Sequence, residues 1–549
     1  MLRLTSCILI LLFSLPLNAA QQAAVAMPDS YSAEAAAKVL KDGGNAVDAA
    51  VTAGFVLAVT LPEAGNIGGG GFMLVYKDGK ADFLDYREKA PLKAHRDMYL
   101  DKQGKVMTEK PLYGILASGV PGSVMGMWQA HQKYGSRPWK ALLAPAIQLA
   151  EEGFVPHEKL VRYVERYIER VKQDRHGRNF DQYFSGMVTD QPFKQPELAA
   201  TLKRIAETGP DDFYKGETAR LLAGFMQKHG GLISLQDLAQ YTAEWRQPLS
   251  EGWQGYQVLS APPPSSGGLV LLQMLKMQSV LQDHFAGLEH NSARYVHLLA
   301  ELAKRGFADR AEYMGDPDFY QVPTDKLLAD DYIGRRAMEV NVEQISETAK
   351  IQPGLKESED TTHYSIIDKW GNAVSTTTTI NLSFGSGVVV EGAGFLLNDE
   401  MDDFSAKAGV PNYFGAVGSE ANEIVPQKRM LSSMTPTILL KNGIVTMVTG
   451  SPGGTTIINS VFQSILNRHL YQMTAQQTVD APRVHHQLLP KDTLRHHPDL
   501  NEQTRKALEK MGYTLDGRRF GDLQVISRDE HGQLQAASES SGRGRSLVF

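Results

Sequence analysis

The sequence predicts a mixed α+β fold in which strands from both parts of the chain join one layered assembly. Helical periodicity dominates before residue 340, strand-like alternation dominates after residue 360, and hairpin signals occur in both parts. A length of 549 residues suits either separate lobes or one large layered fold with a shared core. Between the two parts, residues 340–360 lose apolar periodicity and carry Pro353 and Gly354 among charges, which predicts an exposed linker.

The part before the linker is mostly helical, with one strong hairpin signal. Ser32 is a suitable cap for a helix over 33–41, and a more apolar helix is expected over 46–59. The hairpin is expected over 72–86. Further helical patterns occupy 139–169, 197–205, 218–228, 269–281 and 291–309.

Four consecutive glycines, 68–71, lead into this hairpin. A phosphate-binding loop places its glycines after a strand and before a helix, whereas no helix follows here. We therefore expect the glycines to allow close backbone packing and not to bind a nucleotide.

The part after the linker is rich in strands. One hairpin is expected over 363–379, and another over 435–448 around Asn442-Gly443, a strong turn signal. Helices are expected over 455–466 and 502–510, and the chain closes with a hairpin around Gly532.

The composition, 42% hydrophobic and 21% charged, is that of an ordinary soluble globular protein. The net charge of −6 is spread without long blocks, so neither a nucleic acid nor a membrane is expected as a partner. Residues 1–20, with Arg3, an apolar run and small residues up to Ala20, predict a cleaved signal peptide and an exported protein, periplasmic or secreted. The only cysteine, Cys7, lies inside that signal, which excludes a cysteine nucleophile from the mature protein.

Residue chemistry alone leaves the function open. Two adjacent histidine pairs, 485–486 and 496–497, lack metal-ligand spacing, and no metal or other cofactor is expected. No G-x-S-x-G motif indicates a serine hydrolase, although convergent arrangements stay possible. The threonine-rich run 376–381 is typical of a strand, and Arg87-Glu88 and the acidic stretch 400–404 are typical of solvated surface.

Ten short stretches follow one another through essentially the whole mature chain: EAAAKVLKDGGNAVDAAV, AGNIGGGGFM, DYREKAP, ASGVPGSV, APPPSSGG, ADRAEYMGDPDF, TTHYS, LLNDEMDDFS, LSSMTPT and GSPGG. Each stretch is a weak signal alone. Together and in this order they resemble the γ-glutamyltransferase family of N-terminal nucleophile hydrolases.

This resemblance implies a four-layer αββα sandwich, formed jointly by two fragments of a precursor that cleaves itself. The cut would fall between Asp360 and Thr361, giving a large subunit, 21–360, and a small catalytic subunit, 361–549. Thr361 would be the nucleophile. Its freed α-amine, with a reference pKa of about 7.7–8.0, would be a base able to take the hydroxyl proton.

The resemblance also implies roles for individual residues. Thr379 would orient the nucleophile, and the N–H groups of Gly453 and Gly454 would form an oxyanion hole. The substrate carries an α-carboxylate and an α-ammonium, which call for fixed opposite charges. The carboxylate would be bound by Arg87, Ser432 and Ser433, and the ammonium by Asn381, Glu400 and Asp403.

Two positions depart from some members of the family. Position 400 is Glu where some bacterial members have Gln, which adds a negative charge. In the lid-like stretch 409–420, Phe414 stands where some members have tyrosine, and Tyr413 precedes it. Whether the lid closes through a tyrosine hydroxyl is therefore left open.

The implied reaction is acyl transfer through Thr361. The γ-glutamyl group of glutathione or a related compound would pass to water, an amino acid or a peptide. Two related activities stay open, an acylase for glutaryl cephalosporins and an enzyme that acts on poly-γ-glutamate. A secreted, inactive binding protein is the alternative from another class, and intact Thr361, Thr379 and glycine pair argue against it.

Overall fold

Two antiparallel sheets lie face to face between two layers of helices in the computed structural model. The structure describes residues 22–173, 176, 178–348, 351, 361–407 and 419–549. The strands are β1 Ala24–Met27, β2 Gly70–Lys77, β3 Lys80–Asp85, β4 Glu244–Arg246, β5 Leu249–Trp253, β6 Tyr256–Ser260, β7 Thr361–Ile367, β8 Ala373–Thr379, β9 Thr437–Lys441, β10 Ile444–Gly450, β11 Val484–His485, β12 Thr493–His496, β13 Thr514–Gly517, β14 Gln524–Arg528, β15 Leu534–Ser538 and β16 Arg545–Val548.

Helices cover the outer faces of both sheets. They are α1 Ser30–Lys41, α2 Ala46–Thr60, α3 Ser123–Tyr134, α4 Trp139–Glu152, α5 Glu158–Gln173, α6 Phe180–Phe184, α7 Pro196–Thr208, α8 Pro210–Tyr214, α9 Glu217–His229, α10 Leu235–Gln240, α11 Gly267–Val280, α12 Gln282–Phe285, α13 Ala293–Tyr313, α14 Thr324–Leu328, α15 Asp330–Met338, α16 Thr456–His469, α17 Ala475–Asp480 and α18 Glu502–Met511. In the described ranges, none of them is long and apolar enough to cross a membrane.

The larger sheet has seven antiparallel strands in the order β16-β1-β7-β8-β2-β3-β4. It contains strands that precede the predicted linker, β1 to β4, and strands that follow it, β7, β8 and β16. At its centre β8 pairs with β2, from Gly70 opposite Thr379 to Tyr76 opposite Ala373. The two parts of the chain therefore form one sheet, which confirms the predicted joint assembly.

The second sheet has six antiparallel strands in the order β15-β14-β10-β9-β6-β5, and β11, β12 and β13 form a small third sheet. Side chains of β2 show how the layers are built, because successive residues point to opposite faces. Met73 and Val75 pack in the core shared with α1 and α2, whereas Phe72 and Leu74 pack in the core shared with the second sheet. Helices α11 and α16 cover the far side of that sheet. The architecture is the αββα sandwich that the resemblance implies.

Most predicted elements are confirmed, including α2, the β2–β3 and β7–β8 hairpins, and the hairpin closed by Gly532. The glycine run allows close packing, as expected. A Cβ atom at Gly68 would overlap the carbonyl oxygen of Leu396, and one at Gly69 would overlap that of Thr379. Only glycine therefore fits at these two positions.

Two helix predictions are wrong in detail. Asp29, and not Ser32, caps α1: its side chain accepts a 2.7 Å hydrogen bond from the Ser32 N–H, and the helix begins at Ser30. The single helical stretch over 139–169 is two helices, α4 and α5. Gly153, with a φ of 99°, ends α4, because the left-handed region suits glycine.

The prediction of an exposed linker over 340–360 is confirmed at Asn341, Glu343, Gln344 and Glu347, which are exposed, but it is wrong at two later residues. Thr348 and Ile351 are buried, and Ile351 packs with Ala308 and Leu488. A single apolar residue among charged ones can pack in a small hydrophobic cluster with distant residues, and the periodicity of the sequence does not predict such a cluster. Residues 349–350 and 352–360 lie outside the described residues, as do the predicted signal peptide 1–20 and most of the lid-like stretch, including Tyr413 and Phe414.

Candidate active site

Thr361 begins β7 directly opposite Thr379, the last residue of β8. Opposed residues of an antiparallel pair point to the same face, so both hydroxyls lie on one side of the sheet. His363, two residues further along β7, packs against Gly450 of the second sheet, so this side faces the gap between the sheets. The Thr361 hydroxyl donates a long, 3.4 Å hydrogen bond to the Thr379 hydroxyl oxygen.

Asn381 is fixed at the end of β8 by two hydrogen bonds. Its N–H donates to the Thr379 hydroxyl oxygen at 2.8 Å, and its side-chain N–H donates to the Asp399 carbonyl at 3.1 Å. Its φ of 73° is left-handed, a conformation that asparagine adopts more readily than most residues. The amide oxygen of Asn381 is consequently the atom suited to accept a hydrogen bond from a ligand.

Arg87 follows β3 and lies inside the protein, with 1% of its surface exposed. Its guanidinium forms an ion pair with Glu400 at 2.6 Å and a second one with Asp403. Glu88 lies 3.6 Å from the same guanidinium. The interpretation of Arg87-Glu88 and of the acidic stretch as solvated surface is therefore wrong, because the two segments bury each other's charges.

The charge balance around Arg87 shifts the pKa values of its neighbours. Burial raises the pKa of Glu400 and of Asp403 above their ordinary values, although Arg87 opposes the shift. Burial also raises the pKa of Glu88, to about 8. Burial alone would lower the pKa of Arg87, but the three carboxylates raise it, so the guanidinium stays charged. The site thus gathers more buried acid than one cation neutralises.

Gly453 and Gly454 lie between the end of β10 and the start of α16. Their φ values of 125° and 55° belong to the left-handed region, so glycine is required at both positions. Their carbonyls accept from the N–H groups of Thr456 and Ile457, whereas their own N–H groups donate no hydrogen bond within the described ranges. Two such N–H groups at a helix N-terminus suit a developing negative charge.

Ser432 and Ser433 lie in the segment that leads into β9. The Ser432 carbonyl accepts 2.7 Å hydrogen bonds from the N–H and the hydroxyl of Ser266. Ser265 donates to the Met434 carbonyl at 2.6 Å. The turn predicted from APPPSSGG therefore holds the serine segment in place.

One cavity brings the predicted residues together. Nine of the ten predicted site residues that the structure describes line it, and the tenth, Gly453, directly precedes Gly454 in the chain. Met434 and Ile457 also line it and were not predicted, because single apolar residues in a core pattern carry no functional signal. Asp360 lies outside the described residues. The nine lining residues are Arg87, Thr361, Thr379, Asn381, Glu400, Asp403, Ser432, Ser433 and Gly454.

The histidine pairs are not among the residues that line this cavity, and each ring has a hydrogen-bond partner. His485 contacts Asn459 and Gln487, His486 accepts from the Leu488 N–H, and the rings of the other pair contact backbone carbonyls. Across the ranges that the structure describes, no cluster of three or more His, Cys, Asp or Glu is arranged to hold a metal ion. These histidines are buried structural residues.

Known proteins with similar sequences and folds place this arrangement in a family. A profile described as Gamma-glutamyltranspeptidase matches residues 32–549. The glutathione hydrolase proenzyme of Pseudomonas aeruginosa is 53% identical over 96% of this chain and 94% of its own length. A solved γ-glutamyltranspeptidase from Pseudomonas nitroreducens, complexed with L-DON, is 52% identical, with a TM-score of 0.58 over 60% of this chain and 97% of that chain.

The fold is shared more widely. A cephalosporin acylase from Bacillus halodurans is 29% identical, with a TM-score of 0.84 over 96% of both chains. The sequence matches are higher for glutathione hydrolases and γ-glutamyltranspeptidases than for this acylase. The profile match over nearly the whole chain therefore identifies the protein as a member of the γ-glutamyltranspeptidase family.

Proposed function

We propose that the protein is a glutathione hydrolase and γ-glutamyltransferase whose nucleophile is Thr361, exposed by cleavage after Asp360. The observation that carries the proposal is the convergence of nine predicted site residues on one cavity beside the Thr361 hydroxyl. The relative from Pseudomonas aeruginosa is named a proenzyme, which supports a maturation step. The products would be a large fragment, 21–360, and a small one, 361–549.

Maturation would use the same hydroxyl that later reacts with substrate. Thr361 Oγ1 attacks the carbonyl carbon of Asp360, the peptide C–N bond breaks as the ester forms, and the α-nitrogen takes up a proton. Water then hydrolyses the ester, which leaves a carboxylate on Asp360 and a free amine on Thr361. Because Thr361 is the first residue of β7, the new amine stays at the end of this strand, beside the cavity.

In catalysis that amine takes the hydroxyl proton as Thr361 attacks the γ-carbonyl carbon of the donor. The negative oxygen that forms accepts hydrogen bonds from the N–H groups of Gly453 and Gly454. The donor's amine leaves with a proton, and the γ-glutamyl group stays on Thr361 as an ester. Water or the amine of an amino acid or peptide then attacks this ester and regenerates the enzyme.

The charged side of the cavity fits the head group of a γ-glutamyl donor. Arg87 offers N–H groups to the α-carboxylate, while Glu400, Asp403 and the Asn381 amide oxygen accept from the α-ammonium. Arg87 pairs with Glu400 and Asp403, so these groups are held in position for a zwitterion that inserts between them. Glutathione and related γ-glutamyl compounds carry this head group, and the signal-like residues 1–20 would deliver the enzyme to the periplasm or the medium.

The mass of the purified protein tests the nucleophile. We expect two fragments, the smaller beginning at Thr361, and an uncut, inactive chain for Thr361→Ala. Thr361→Ser, which keeps a hydroxyl, should still be cut and retain part of the activity. A wild-type chain that is fully active without being cut would overturn the mechanism.

A pair of chromogenic donors separates this activity from that of an acylase. L-γ-Glutamyl-p-nitroanilide carries the α-ammonium, whereas glutaryl-p-nitroanilide lacks it. A γ-glutamyltransferase should strongly prefer the first, because only the first brings an ammonium that offsets the excess of buried acid around Arg87. Equal rates with both donors would assign the protein to the acylases that share its fold.

A further inference from the structure

Arg310 stands behind the serine segment and is not among the residues that line the cavity. It lies on α13, fully buried, with 2% of its surface exposed. Its Nη2 donates to the Ser433 hydroxyl oxygen at 3.2 Å, and its Nε donates to the Ser266 hydroxyl oxygen at 2.9 Å. The Ser266 hydroxyl in turn donates to the Ser432 carbonyl at 2.7 Å. One guanidinium therefore fixes both serines of the segment.

The direction of the Ser433 hydrogen bond has a chemical consequence. A hydroxyl has one proton and two acceptor positions, and a guanidinium can only donate. Because Arg310 occupies an acceptor position of Ser433, the hydroxyl proton must be directed at a third group. With a donor bound, the carboxylate beside Ser433 is a suitable acceptor.

The charge of Arg310 acts in the same direction. Burial lowers the pKa of Arg310 to about 10, and attraction to Asp403 opposes that shift, so the guanidinium is protonated at neutral pH. A positive charge behind Ser433 polarises the hydroxyl toward an anion in the cavity.

We propose that Arg310 is a positioning residue for the α-carboxylate of the donor, acting through Ser433 and Ser266 without touching the substrate. The inference rests on the proposed function, which places that carboxylate at Ser433. It also gives the APPPSSGG turn a role, because Ser266 of that turn carries the hydrogen bond from Arg310 to the Ser432 carbonyl.

The test compares two donors in Arg310→Met, which keeps most of the side-chain volume and removes the charge. L-γ-Glutamyl-p-nitroanilide carries the carboxylate, and 4-aminobutyryl-p-nitroanilide lacks it. We expect KM for the first donor to rise about tenfold or more, the effect of one hydrogen bond to a charged group, with kcat nearly unchanged. In Arg310→Met, the kcat/KM for the second donor should stay within about twofold of wild type. Arg310→Lys, which keeps a positive charge, should partly restore the low KM for the first donor.

Arg305→Met is the matched control. Arg305 is also buried and lies on the same helix, where it pairs with Glu301 at 2.8 Å. Its loss should lower stability without changing the preference between the two donors. If Arg310→Met affects both donors equally, or neither, Arg310 is only structural and the inference fails.

Two further results separate a failure of the Arg310 inference from a failure of the variants to mature and from a failure of the proposed function. If the Arg310 variants are not cut into two fragments, Ser266→Ala replaces them, because it removes one link and leaves the charge. An unchanged donor preference in Ser266→Ala would then overturn the inference. A wild-type enzyme without γ-glutamyl activity would instead overturn the proposed function, since that result does not depend on Arg310.

Discussion

Thr361 and Thr379 are paired across β7 and β8, and their hydroxyl oxygens are 3.4 Å apart on the face between the two sheets. Strand register alone creates this relationship. A shift of one residue in either strand would turn one hydroxyl to the helix layer. The seven-residue pairing of β7 with β8 fixes that register, from Thr361 opposite Thr379 to Ile367 opposite Ala373. The sheet thus positions the proposed nucleophile and its neighbour before any substrate is present.

Replacing Thr379 by valine removes a hydroxyl while keeping the shape of the side chain. The Asn381 N–H then loses its 2.8 Å acceptor, and Thr361 loses its partner. We expect kcat to fall roughly three- to tenfold, the range for one neutral hydrogen bond, with a smaller change in KM. Steady-state kinetics of the cleaved enzyme measure both parameters.

Thr376→Val is the control for this substitution. Thr376 is buried on the same strand, but it pairs with Tyr364, whose side chain packs in the core beside the helices. Its replacement should leave kcat unchanged. A loss of the same size in both variants would mean that any change in β8 impairs the enzyme, and Thr379 would have no special role.

Gly453→Ala tests the proposed oxyanion hole. A Cβ atom at this position would overlap the Thr456 hydroxyl, and the φ of 125° is unfavourable for alanine. The strain should move the N–H group, and we expect kcat to fall by about tenfold or more, since a lost oxyanion donor costs up to about a thousandfold. Single-turnover measurement of the acylation rate would locate the effect.

Gly532→Ala separates strain from catalysis. Gly532 has a φ of 78° in the turn between β14 and β15, and no atom would lie within 4 Å of an added Cβ. Alanine there should lower the free energy of unfolding by about 1 kcal/mol and leave kcat unchanged. Equal losses of kcat at both glycines would argue against an oxyanion hole at Gly453.

Arg87→Lys keeps a positive charge but cannot form two parallel hydrogen bonds with a carboxylate. The ammonium group of the lysine side chain would still partly balance the charges of Glu400 and Asp403, so cleavage into two fragments should persist. We expect KM for the γ-glutamyl donor to rise about tenfold to a hundredfold. Arg305→Lys, at a buried ion pair on α13, should not change KM; a change there as large as at Arg87 would contradict the proposed clamp.

Much of the fold could be predicted from the sequence because its main hairpins are local. The β7–β8 hairpin consists of two strand-like runs around a short turn. The sequence predicts it over 363–379, and its strands pair from Thr361 to Thr379. The edge strands could not be predicted. β1 and β16 have four residues each, and their pairs, such as Ala24 with Val548, join opposite ends of the chain. Such short strands have no periodicity of their own and depend on their neighbours.

In the site, too, contacts between distant segments could not be predicted from the sequence. The family resemblance implied which side chains belong to it, but not that Arg87 and Asp403, 316 positions apart, form an ion pair. A charged residue after a strand is usually solvated, so its burial depends on whichever distant segment covers it. Arg310 lies in one of the matching stretches, yet only the structure shows its contact with Ser433.

Glu88→Gln tests the excess of buried acid through the pH dependence of the free energy of unfolding. Neither carboxylate oxygen of Glu88 has a hydrogen bond to another residue in the described ranges, and burial raises its pKa to about 8. Between pH of about 4.3, where an unfolded glutamate ionises, and about 8, the native state holds a proton that the unfolded state has released. Glu88 should therefore contribute a fall in stability with rising pH across this window, by at most about 1.4 kcal/mol per pH unit, and glutamine should remove that contribution.

The measurement is best made on the uncut Thr361→Ala chain, whose thermal unfolding does not separate two fragments. The midpoint of the Glu88→Gln variant should rise relative to its parent between pH 5 and 8. Glu301→Gln is the control, because burial tends to raise the pKa of Glu301 but Lys304, Ser346 and Arg305 together hold it below its ordinary value. Glu301 is then ionised throughout this range, so its replacement should destabilise the chain about equally at each pH. A Glu88→Gln difference that is flat or falls with pH would show that Glu88 is already ionised in the folded protein.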